Sequence, residues 1–263
     1  MAFIRRSTIR PERRAASVAM IAALVGITAL AWSYLGYQSW AMDHMDQVDM
    51  AMPSLQAWGA EDLALVFTMW VIMMIGMMAP SASPMVLLFA RIQNGRPGSG
   101  QPMVASGLFL LGYLLAWTGF SLAATLIQWG MHAALLSTPA LAGAGSILGG
   151  AVLIAAGLYQ WTPAKRACLT HCRTPLAFLF AEWREGAQGA LVMGLRHGLY
   201  CIGCCWLLML ILFVVGVMNL LWIALLAAFV LAEKTLPHGA WIGRVSGLAL
   251  IVWGGWMAVA VPA

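Results

Sequence analysis

The chain has 263 residues, of which 62% are hydrophobic and 9% are charged. An ordinary soluble domain carries about 25% charged residues, so this chain is too poor in charge to cover a water-facing surface, and lipid must be its solvent. The formal net charge of +5 does not point to nucleic acid, because the cations fill gaps between apolar runs and form no basic face interleaved with aromatics.

Roughly 20 apolar residues cross the hydrocarbon core as a helix. On that measure the chain is an all-α, polytopic transmembrane helix bundle with about seven spans. A basic tail covers residues 1–14, and residues 15–263 form a single transmembrane helical domain. The first span, 15–37, is too long for a signal-peptide core and no small-x-small cleavage pattern follows it; it reads as a retained helix. An outer loop, 38–62, comes next. In it Met42, His44, Met45, Met50 and Met52 alternate with Asp43, Asp46 and Asp49. Such a mixture can collect a cation outside the membrane, or serve only as a solvated, acidic helix start.

Span two, 63–90, contains MWVIMMIGMMAPSASPM. Met69, Met73 and Met77 step by four, with Met74 and Met78 in a neighbouring row. Thioethers are soft ligands that suit Cu(I), and they are also flexible core fillers. Pro80 and Pro84 cannot donate to the carbonyls of Gly76 and Pro80. Ser81 and Ser83 sit beside these freed groups. A broken polar segment at membrane depth is tolerated only where protein or a water-lined cavity satisfies it.

Spans three and four cover 103–129 and 141–161. Span four carries GAGSILGGAVLIAAG, whose small residues let another helix approach closely. The segment 162–190 reads as a cytoplasmic loop. Its Cys168, His171 and Cys172 place two thiols and an imidazole within five residues, able to chelate a metal, with Lys165, Arg166 and Arg173 near enough to favour thiolate. A second Cys/His pair is missing, so this is not a zinc-finger pattern.

Span five, 191–215, carries His197 and the cluster Cys201, Cys204 and Cys205. His197, Cys201 and Cys205 step by four, and Cys204 lies three beyond Cys201, so all can line one stripe. One buried cysteine is a small hydrophobe; three beside a histidine read as a site. Counting rise per residue, PSASP and Met78 lie about 9–20 Å inside the membrane, in the same layer as Cys201 and Cys205. Spans six and seven cover 218–231 and 241–261. Glu233 and Lys234, with His238, read as a helix-end ion pair. With seven crossings all 14 Lys and Arg fall on one side, which places the N-terminus in the cytoplasm and the C-terminus in the periplasm.

MMIGMMAPSASPM (73–85) and GLYCIGCCWLLML…GVMNLLWIALL…EK (198–234) resemble a bacterial family of predicted metal-binding integral membrane proteins, a domain of unknown function. The resemblance covers spans two to six. It implies metal binding, and Met73, Met77, Met78, Cys201, Cys204 and Cys205 match the family pattern. Copper is inferred from ligand softness, not from the resemblance.

The resulting expectation is a multi-pass protein of the bacterial inner membrane, not an enzyme, that handles Cu(I) or another soft metal in trafficking, transport or delivery. Its partners would be the lipid bilayer, the metal ion and a periplasmic metal-binding protein or metalloenzyme, with no nucleic acid. Two other readings stay open. One is a transmembrane thiol–disulfide electron carrier, using the CxxC spacing of Cys201 and Cys204 with Cys168 and Cys172. The other is a non-catalytic scaffold subunit whose sulfur serves packing. No Ser/His/Asp triad, carboxylate pair or phosphate loop stands out.

Overall fold

The computed structural model describes residues 11–44, 56–96, 101–137 and 145–260. These residues are mostly helical and contain no strand. In chain order the helices are α1 (Pro11–Asp43), α2 (Ala60–Gly95), α3 (Pro102–Ser137), α4 (Gly145–Tyr159), α5 (Pro163–Arg173), α6 (Pro175–Glu182), α7 (Gly186–Leu210), α8 (Leu212–Val215), α9 (Leu220–Thr235) and α10 (Gly239–Ala260).

Five of these segments are long and apolar enough to cross a membrane: α1 from Ser17, α2, α3, α7 continued by α8, and α10. A sixth appears only if α4 and α5, bent by 64° at their junction, count as one broken span. The expected seven crossings are therefore corrected to five or six. Span six corresponds to α9, whose 16 residues rise about 24 Å, short of the roughly 30 Å hydrocarbon core. The sides assigned to the two termini rested on seven crossings and do not follow from these helices. Residues 162–190, expected as a loop, instead form α5, α6 and the start of α7. Helix α1 likewise absorbs residues 38–43 of the expected outer loop. The outer faces of α1 and α10 are apolar, with Leu30, Val252, Trp256 and Val259 exposed, as lipid-facing side chains would be.

Helix α2 runs unbroken through Pro80 and Pro84, because both freed carbonyls find donors. The Trp32 indole of α1 donates to the Gly76 carbonyl at 3.1 Å. The Ser83 hydroxyl donates to the Pro80 carbonyl at 2.8 Å. A buried carbonyl left without a donor costs about 1–3 kcal/mol. Trp32→Phe keeps an aromatic side chain and removes the donor, so it is expected to destabilise the protein by about 1–2 kcal/mol, read as a lowered thermal midpoint in detergent. An unchanged midpoint would show that the indole contact carries no weight.

Glycines set the distances between the inner helices. A Cβ on Gly194 would overlap the Phe109 carbonyl of α3, and one on Gly198 would lie 2.5 Å from the Ala116 Cβ. From the other side, a Cβ on Gly112 would overlap the Leu191 carbonyl of α7. Helices α3 and α7 thus touch backbone to backbone, as small residues permit in apolar surroundings. The small-residue face of span four finds its partner in α10, where Gly150 faces Gly254 and Gly157 faces Gly247. At the end of α8 the chain turns at Gly216, φ +101°, a conformation in which a side chain would be strained. The Asn219 side chain then caps α9 by accepting from the Trp222 N–H at 3.3 Å.

Candidate functional site

The close α3–α7 contact brings Tyr113 against Cys201. The phenol oxygen of Tyr113 lies 3.0 Å from Cys201 Sγ and 3.2 Å from the Met78 carbonyl of α2. Lys234 of α9 places Nζ 2.9 Å from the same sulfur and donates to Ser81 Oγ at 3.0 Å. Ser81 in turn donates to the Met78 carbonyl at 3.0 Å. Cys201 is thus the node at which α2, α3, α7 and α9 meet. Helices α2 and α7 are joined through Tyr113 and Lys234.

The electrostatics follow from what surrounds the lysine. Ser81, Tyr113, Cys201 and Lys234 are all buried. An ammonium taken out of water without an opposite charge costs several kcal/mol. Glu233, the neighbouring acid, is turned away, its carboxylate 2.7 Å from Lys165 Nζ in a pair with both side chains 2% exposed. Gln160 accepts from the same Lys165. Arg173 holds the end of α9, donating to the carbonyls of Glu233, Leu236 and Pro237. The expected Glu233–Lys234 ion pair is therefore corrected: the two residues feed separate clusters. Cys201 Sγ is left as the group placed to carry the charge that balances Lys234.

The three span-five thiols face inward, with 0%, 1% and 0% exposure for Cys201, Cys204 and Cys205. Cys204 and Cys205 both donate to the Cys201 carbonyl, at 3.1 and 3.0 Å. His197 is buried one turn earlier. Its ring stacks on Tyr113 with centroids 5.6 Å apart, beside Phe109 and Phe178, and its Nδ1 has no hydrogen-bond partner among the described residues.

Cys172 of α5 is close enough to Cys201 and Cys204 for the thiols to interact. The Cys168 thiol packs on Gly203, where a Cβ would sit 2.7 Å from its sulfur. His171 does not join them. Its ring stacks on Tyr200 at 4.1 Å, and its Nδ1 donates to the Ala167 carbonyl at 2.9 Å. Residues three and four apart share a helix face, so spacing does not separate the three; the stacking on Tyr200 and the bond to the Ala167 carbonyl draw the His171 ring away from the thiols. Cys168, His171 and Cys172 form no single chelate; the two thiols belong to the α7 cluster.

Met73, Met74, Met77 and Met78 are buried along the inner face of α2, while Met69 is half-buried. His44, at the end of α1, stacks on Trp40 at 4.7 Å and donates from Nδ1 to the Trp40 carbonyl at 2.9 Å. Met45 lies outside the described residues, as do Met50, Met52, Asp46 and Asp49. Among the described residues no group of three or more His, Cys, Asp or Glu is arranged to hold a metal ion. What the chain offers instead is sulfur: thiols around Cys201 and thioethers along α2, with the one nearby buried carboxylate already committed to Lys165. Tyr113 and Lys234 were missed as site residues from sequence. A phenol inside LLGYLLAW and a lysine separated by Glu233 from a wholly apolar run were the signals available.

These features define a class: an all-helical bundle with spans apolar enough for a membrane and a buried, soft-donor interior. A model of the family described as PpoB2, copper chaperone, matches residues 67–257. The chain belongs to that family. Its description names a non-catalytic role, in agreement with the expectation that the chain is not an enzyme. No curated protein and no solved structure matches the chain.

Proposed function

We propose that the chain is a multi-pass copper chaperone of the bacterial inner membrane, carrying Cu(I) on sulfur inside the bundle and handing it to a periplasmic metal-binding protein or metalloenzyme. The observation that carries this reading is the junction at Cys201, where a buried thiol meets the Met-rich helix through Tyr113, 3.0 Å from the sulfur and 3.2 Å from the Met78 carbonyl. Thioether and thiolate are the donors that select Cu(I) over harder ions. Neutral thioethers bind it loosely and thiolates tightly, so Met73, Met77 and Met78 on one side and Cys201, Cys204, Cys205 and Cys172 on the other suit stepwise ligand exchange. His197, with an unpartnered buried Nδ1, adds a nitrogen donor one turn from Cys201. His44 would act at the chain's outer end, where cargo arrives.

The test is metal analysis of the purified full chain, loaded with Cu(I) under reducing, anaerobic conditions. The wild type is expected to hold roughly one ion per chain, as a soft-donor site should. Cys201→Ser, Cys204→Ser and Cys205→Ser combined should remove most of it. Equal, negligible copper in both proteins would end the proposal.

A second reading draws support from Cys172, a thiol on a different helix beside Cys201 and Cys204. An electron carrier would form and break a disulfide there, passing two electrons to a partner disulfide. Trapping a mixed disulfide between this chain and a partner protein would favour it.

A further inference from the structure

Lys234 has no role in binding a cation by itself, yet it stands 2.9 Å from the sulfur that a copper carrier would use. It is buried, and among the described residues its ammonium hydrogen-bonds to a thiol and a hydroxyl. The polar and titratable groups around it come from four other helices: Ser81 from α2, Tyr113 from α3, Cys172 from α5, and His197, Cys201 and Cys204 from α7. The carboxylate of Glu233 also lies within electrostatic range but makes no hydrogen bond or ion pair with it among the described residues. Glu233, next to it on α9, is held by Lys165.

Resting on the copper-carrier reading above, we propose that Lys234 is a fixed counter-ion that sets which ionic charge the thiol cluster accepts. Cu(I) favours two sulfur ligands, and Cys201 has Cys172 and Cys204 beside it. Two thiolates carry two negative charges. With one lysine, a monovalent ion leaves the buried cluster neutral, whereas a divalent ion leaves one positive charge in a medium where an unbalanced charge is costly. Selectivity for a monovalent soft ion over Zn(II), which also favours thiolate, is thereby built into the protein's own charge count. Lys234 is a positioning and selectivity residue; the ligands remain the sulfurs.

Neutralising Lys234 reverses the count. Two thiolates then leave a negative charge with a monovalent ion and none with a divalent one. The experiment compares full-length wild type, Lys234→Met, Lys234→Gln and Lys234→Arg in detergent, without oxygen. Ag(I) serves as a redox-inert monovalent probe and Zn(II) as the divalent one, each measured by competition. Lys234→Met and Lys234→Gln are expected to lose Ag(I) affinity by about 100-fold while Zn(II) binding strengthens. Lys234→Arg keeps the wild-type preference. Loss of fold alone would weaken both ions together, and the glutamine keeps a donor toward Ser81. Should either neutral variant retain the wild-type ratio of Ag(I) to Zn(II) affinity, the counter-ion role is overturned. Wild-type protein that prefers Zn(II) overturns it without any variant. Wild type that binds no Ag(I) at all sinks the copper-carrier reading itself, a separate outcome.

Discussion

Gly194→Ala is expected to be among the most damaging single substitutions in the chain. A methyl at this position overlaps the Phe109 carbonyl and comes within 2.7 Å of its carbonyl carbon. Both obstacles are backbone, so no side chain can swing aside. Helices α3 and α7 must separate, and the apposed contacts at Gly112 and Gly198 open with them. Overpacking a tight interface costs about 1–3 kcal/mol, occasionally more, and here three contacts are coupled; we expect about 3 kcal/mol or more. The consequence reaches the site, because Tyr113 and Cys201 lie on these two helices, 3.0 Å apart. Copper binding should therefore fall with the thermal midpoint. Gly107→Ala and Gly119→Ala are the controls. Nothing lies within 4 Å of a Cβ at either position, and alanine favours helix by about 0.5–1 kcal/mol. A Gly194→Ala protein as stable as these controls would show that the two backbones are not in contact.

Much of this arrangement was legible in the sequence, and the parts that were not share a cause. The all-α class followed from composition. The inward stripe of Cys201, Cys204 and Cys205 followed from steps of three and four. The freed carbonyls of Gly76 and Pro80 followed from Pro80 and Pro84, and Ser83 was a visible candidate donor. Trp32 was not, because the indole comes from another helix, and helix pairing is not written in a hydropathy pattern. For the same reason Tyr113 passed unnoticed and Lys234 was assigned to its neighbour in sequence. Adjacent residues on a helix point about 100° apart, so Glu233 and Lys234 do not face each other and reach into separate clusters. Cys172 looked like a loop residue; once α5 forms, it faces the α7 thiols. The crossing count failed on α9, since an apolar run of 14 to 16 residues reads alike whether it spans or packs inside.

The buried pair of Lys165 and Glu233 should show opposite behaviour in single and double variants. Both side chains are 2% exposed, and Gln160 and Gly243 close around them. Removing one partner strands a charge in the core. Lys165→Met and Glu233→Leu are each expected to cost about 3–5 kcal/mol. Lys165→Met combined with Glu233→Leu removes both charges, and such replacements are often neutral or stabilising. The double variant should recover most of the loss, leaving a coupling energy of a few kcal/mol in the mutant cycle. The cycle also separates fold from site. Glu233 and Lys234 are consecutive on α9, yet the Lys165 cluster touches none of the thiols through hydrogen bonds. The double variant should then bind copper like wild type, whereas Lys165→Met alone leaves a stranded Glu233 carboxylate beside Lys234 and should weaken binding. Additive losses in the double variant would mean that the two side chains do not form a pair.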